Sequence, residues 1–76
     1  MYSYTVSKTA DTKEFLKACR LIESNFNGIS KEKILVDADG SAIQIYQKNG
    51  SKIKVYNDYE VDAVYVDSEI EMNNIF

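Results

Sequence analysis

The string Ile34-Leu35-Val36-Asp37-Ala38-Asp39-Gly40-Ser41 gathers the densest set of groups able to do chemistry in this chain of 76 residues. Two carboxylates one residue apart, behind an apolar run, could share a metal ion or divide nucleophilic and acid–base work. Read as an EF-hand loop, Asp37, Asp39 and Ser41 would be the first three oxygen ligands. The count then puts Ala42 where glycine is required and Lys48 where a bidentate Glu must stand, so no calcium loop is expected. Cys19 is the single cysteine and there is no His. That inventory cannot close a tetrahedral zinc site, and it offers the thiol no imidazole to make it a nucleophile. Neither a metal nor a cofactor is expected.

A strand followed by Asp-x-Asp-Gly-Ser resembles the nucleophile motif of the haloacid-dehalogenase-type phosphatases, over the stretch 34–41 only. The resemblance implies a metal-assisted phosphatase in which Asp37 attacks phosphorus and Asp39 serves as acid and base. It also implies a parallel doubly wound sheet, a separate Lys and a further acidic pair for magnesium. A chain of this length has no room for those parts, and a hairpin turn at Asp39-Gly40 accounts for the same residues. The expectation is a protein that is not an enzyme.

The elements that position these groups follow from periodicity. Tyr2, Tyr4 and Val6 alternate with Ser3, Thr5 and Ser7, a strand with one buried face. From Asp11 the period lengthens. Phe15, Ala18, Cys19, Ile22 and Phe26 fall on one stripe of a helix, with Asp11 as N-cap, Glu14 placed to close a capping box, and Asn27-Gly28 as the left-handed stop. The remainder reads as an antiparallel meander. A two-residue turn at Asp39-Gly40, a three-residue turn at Lys48-Asn49-Gly50 and another at Asn57-Asp58-Tyr59 would gather Ile34, Val36, Ile43, Ile45, Ile53, Val55, Val61 and Ala63 on one face. The helix stripe would cover that face. The opposite face would carry Gln44, Tyr46, Lys52, Lys54, Tyr56, Glu60 and Asp62, with Lys54 opposite Asp62. Residues 67–76 suit either a continued strand or a short terminal helix, and the helix is favoured by Ser68 and Glu71 at capping-box spacing. The predicted fold is therefore α+β, one helix on a mainly antiparallel sheet in the order β-α-β-β-β-β, and one domain over residues 1–76.

Charge points to the kind of partner. Residues 1–56 hold all nine cations and six of the twelve anions, whereas residues 57–76 hold Asp58, Glu60, Asp62, Asp67, Glu69 and Glu71 and no cation. An acidic segment of that kind attracts and steers a basic surface. Tyrosines supply large contact area at low entropic cost. Tyr46, Tyr56, Tyr59, Glu60, Asp62, Tyr65, Asp67, Glu69 and Glu71 are accordingly the predicted partner-binding residues. The alternative is a single-stranded nucleic-acid-binding sheet using Tyr46, Tyr56, Lys52 and Lys54, opposed by the net charge of −3. Lys, Ile, Asn and Tyr make up 28 of the 76 residues, the bias of codons rich in A and T. The expectation in concrete form is a phage- or mobile-element-encoded inhibitor that acts on a basic surface of a host nucleic-acid-handling protein. The first residues lack the apolar core of a secretory signal and no run approaches the roughly 20 residues that span a bilayer, so a cytoplasmic protein is expected. Ile75-Phe76, if unpacked, would expose an apolar patch suited to a homodimer.

Overall fold

The computed structural model describes residues 1–76 and has a Cα radius of gyration of 11.5 Å. Strand β1 (Tyr2–Ser7) leads into helix α1 (Thr12–Asn25), followed by β2 (Ser30–Lys31), β3 (Leu35–Val36), β4 (Ala42–Lys48), β5 (Ser51–Asp58) and β6 (Ala63–Ser68). All pairings are antiparallel, in the spatial order β1-β6-β5-β4-β2, with β3 also pairing to β4. The order β-α-β-β-β-β is as predicted, with the second of the predicted strands supplied by the two short pieces β2 and β3. No helix is long and apolar enough to cross a membrane.

The helix forms where its apolar spacing requires. Phe15, Ala18, Cys19 and Ile22 are buried, and Phe26 packs against the same core. The Asp11 carboxylate accepts the backbone N–H groups of Lys13 and Glu14, satisfying two donors that the first turn leaves without partners. The reciprocal half of the predicted capping box is not made, because the Asp11 N–H is donated to Asn57 Oδ1 on β5. The helix ends at Asn25 with Phe26 in extended backbone, and the left-handed Gly28 lies two residues further on.

All three predicted turn lengths are corrected by one residue. Asn49 and Gly50 both have positive φ, 52° and 83°, and form a two-residue turn between the paired residues Lys48 and Ser51. Such a turn matches the right-handed twist of a hairpin, so it prevails over the three-residue alternative. Around Gly40 the loop has three residues, closed by the Asp37 N–H to the Ser41 carbonyl. Between β5 and β6 it has four, with Asp58 facing Ala63 and Asp62 at φ 57°.

A one-residue change moves every side chain of a strand to the other face. The face against the helix therefore holds Tyr46 rather than Ile45, together with Ile53, Val55, Val64 and Val66, all fully buried. Ile43, Ile45 and Ala63 take the open face, and Val61 is exposed in a loop. Lys54 faces Asp67, not Asp62.

Three polar residues share the buried face, and each ties down a loop. Gln44 donates to the Glu32 carbonyl, Asn57 holds the start of the helix, and the Ser68 hydroxyl exchanges hydrogen bonds with Ile70. No buried side-chain polar atom lacks a partner. The segment after β6 is neither strand nor helix. Met72 is buried, one turn closes from Ile75 and Phe76 back to its carbonyl, and the Tyr4 hydroxyl accepts the Met72 N–H. Ile75 and Phe76 pack on the core, so they do not form the open dimer patch the sequence suggested.

Candidate functional site: the open sheet face and its acidic end

The register builds a row of side chains straight across the face that the helix leaves uncovered. Leu35 faces Ile43, Ile43 faces Tyr56, Tyr56 faces Tyr65, and Tyr65 faces Thr5, one residue from each of five strands. The Tyr56 and Tyr65 rings stack, with centroids 4.6 Å apart and planes 13° from parallel. The Tyr65 hydroxyl donates to Asp58 Oδ2 at 3.0 Å. Desolvation, and then the Asp58 hydrogen bond and charge, push the Tyr65 hydroxyl up to about 12. Tyr56 is raised as well, by desolvation and by the charge of Asp67. A neighbouring row crosses through Ile45, Lys54, Asp67 and Ser3.

At the turn end of this face lies an open groove of about 390 Å³. Leu35, Ile43 and Tyr56 give it apolar walls, and Asp37, Asp39, Asp58 and Glu60 supply four carboxylates without one Lys or Arg. The β3–β4 and β5–β6 loops that carry them are held together. Tyr59 donates its N–H to Ser41 Oγ, and its ring lies where a Cβ on Gly40 would touch it at 3.6 Å. Several of the carboxylates also brace their own loops. Asp39 accepts the Ser41 N–H, which lowers its pKa, and Asp58 accepts the N–H groups of Glu60 and Val61.

The acidic residues of the C-terminal half do not form a single row. Asp58, Glu60 and Asp62 surround the groove end of β5 and β6. Asp67, Glu69 and Glu71 lie at and beyond the other end, about 17 Å away at the usual rise per strand residue. Asp62 accepts the Ala10 N–H, Asp67 the Ser3 hydroxyl, Glu69 the Lys52 N–H and Glu71 the Asn73 amide. Of the predicted tyrosine anchors, Tyr56 and Tyr65 are on the open face, and Tyr59 is 45% exposed at the groove. Tyr46 is a correction: it has no exposed surface, and its hydroxyl donates to Glu23 Oε2 beneath the helix.

That correction removes one of the two aromatics from the nucleic-acid alternative, whose remaining members Tyr56, Lys52 and Lys54 share the face with Asp67 and Asp58. The phosphatase-like string sits on an antiparallel hairpin instead of a parallel doubly wound sheet. Asp37 and Asp39 each accept a backbone N–H of that turn, and no three carboxylates of the chain converge closely enough to hold one ion. Sequence reasoning missed Leu35, Ile43, Asp37, Asp39 and Asp58 as parts of one surface. The Asn49-Gly50 dipeptide was the available signal, since its tight turn sets the parity of β4 against β5. No family model, no curated protein and no solved structure matches this chain.

Proposed function

We propose that the chain is a small non-enzymatic protein-binding module that holds a basic surface of another protein. The observation that carries this is the coincidence of an apolar wall and an acidic rim in one open groove. Lys and Arg present the same combination, an aliphatic stem ending in a cation, so the stem fits against Leu35, Ile43 and Tyr56 while the charge meets the carboxylates. In its concrete form the module is an inhibitor that occupies the basic, nucleic-acid-binding groove of its target. The open row through Tyr56 and Tyr65 adds the aromatic anchors usual at such interfaces.

Fluorescence anisotropy with a labelled Arg/Leu-rich peptide, and in parallel with labelled single-stranded DNA, tests the reading. The peptide binds, more weakly as salt rises. Asp39→Lys and Glu60→Lys each weaken it by about tenfold, whereas Glu71→Lys at the far end leaves it within about twofold. Equal effects of all three substitutions, or tight binding of DNA in place of the peptide, would overturn it.

A further inference from the structure

The two edges of the sheet are not equivalent. The β1 edge is interrupted by a register shift between Thr5 and Ser7, a device that discourages strand addition. On the opposite edge, β2 is engaged by the helix, with Lys31 Nζ 3.1 Å from Glu23 Oε2. The run Ile34-Leu35-Val36 has no such cover. Its side chains are 39%, 54% and 68% exposed, three consecutive apolar residues at an open edge.

The backbone of this run is ready to pair. Asp37 directs its N–H to the Ser41 carbonyl on the β4 side. By antiparallel alternation Leu35 also faces β4, which leaves the N–H and C=O of Val36 and the C=O of Ile34 turned outward. The flanking charges have opposite signs, Lys33 before the run and Asp37 after it. Neither side chain is in an ion pair.

We propose that this edge pairs with the same edge of a second copy of the chain, antiparallel, about a two-fold axis at Leu35. In that register Leu35 faces Leu35, Ile34 faces Val36, and Lys33 faces Asp37 of the second copy. Each Val36 N–H then reaches the other copy's Ile34 carbonyl, in agreement with the outward groups. The charge pattern is self-complementary in this register, so two ion pairs form by symmetry. A slip of one residue places Lys33 against Val36 or Ala38 and loses both. The axis stands perpendicular to the sheet, so the two open faces continue on one side. Leu35 and Asp37 belong to both the groove and the pairing edge, whereas Asp39, Asp58 and Glu60 take no part in the pairing.

Sedimentation equilibrium of the full chain from about 10 μM to 1 mM, in low salt and without any ligand, tests it. The expected result is a monomer–dimer equilibrium with a dissociation constant between about 1 μM and 1 mM, the weak range suited to a short edge. Lys33→Asp and Asp37→Lys each weaken association by about tenfold or more, because each sets like charges opposite one another twice, and the double variant restores it. Val36→Pro removes the outward N–H without touching a bond to β4 and also yields monomer, with folding checked by circular dichroism. A chain that stays monomeric throughout, a dimer insensitive to these substitutions, or a double variant that fails to recover would overturn the proposal. Because none of these measurements includes a peptide, their failure is distinguishable from failure of the groove's binding function.

Discussion

The hydroxyl of Tyr46, the largest fully buried side chain, donates to Glu23 Oε2 at 2.5 Å across the interface between sheet and helix. One bond thus lets a strand residue of wrong apparent polarity complete the core. It acts on both partners. Glu23 is held below its ordinary value, first by this hydrogen bond and then by Lys31, while Tyr46 is raised by burial and by the same contact.

Tyr46→Phe should lower stability at pH 7 by about 1 kcal/mol, the net worth of a hydrogen bond to a carboxylate that stays partly exposed. Its pH dependence fixes the cause. A carboxylate with a depressed folded pKa contributes stability above its unfolded value, 4.5, and loses it as pH falls through the folded value. Urea unfolding at pH 7 and pH 3 should therefore show the gap between wild type and Tyr46→Phe closing at the lower pH. A gap that persists at pH 3 would assign the loss to packing.

The Cys19 thiol is 6% exposed, and burial pushes its pKa up. The raised pKa suppresses the thiolate, and the low exposure denies a reagent access to it. At pH 8 the native protein should react with a disulfide reagent at least about 100-fold more slowly than the urea-unfolded chain, with a rate that tracks opening of the fold. Fast labelling of native protein would contradict the packing of α1 on the sheet.

Tyr65, raised to about 12, should ionise late in an ultraviolet pH titration, and Asp58→Asn should bring it down toward the ordinary value of 10. The linkage has a definite sign. A group whose folded pKa is raised contributes stability that is whole below its unfolded pKa and lost as pH rises through the folded one. The Tyr65 share of the alkaline loss of stability should accordingly fall between about pH 10 and 12, and it is this share that shrinks in Asp58→Asn.

Gly50, at φ 83°, holds the turn that sets the parity of β4 against β5. Gly50→Val should cost about 1–2 kcal/mol through backbone conformation alone, since no atom lies within 4 Å of a Cβ built there. Thermal unfolding reads the loss. Cross-strand nuclear Overhauser contacts between Gln44 and Val55 should survive it if the hydrophobic face, and not only the turn, fixes the register.

The sequence by itself determined the helix and the fold class, because both depend on local repeats. The stripe from Phe15 to Phe26 can be buried in only one way, and of the alternating Tyr2, Tyr4 and Val6 the last two pack against the core while Tyr2, at the strand's start, stays exposed. Tertiary structure decided the register of the meander. Grouping every isoleucine on one face ignored that Tyr46 can be buried when Glu23 receives its hydroxyl, and that Gln44 and Asn57 can be buried when they hold a loop and the helix start. Those acceptors and donors lie between 12 and 46 residues away along the chain, beyond the reach of any local pattern. The acidic groove is decided in the same way. Asp37 and Asp39 meet Asp58 and Glu60 only because two turns at one end of an antiparallel sheet are brought side by side.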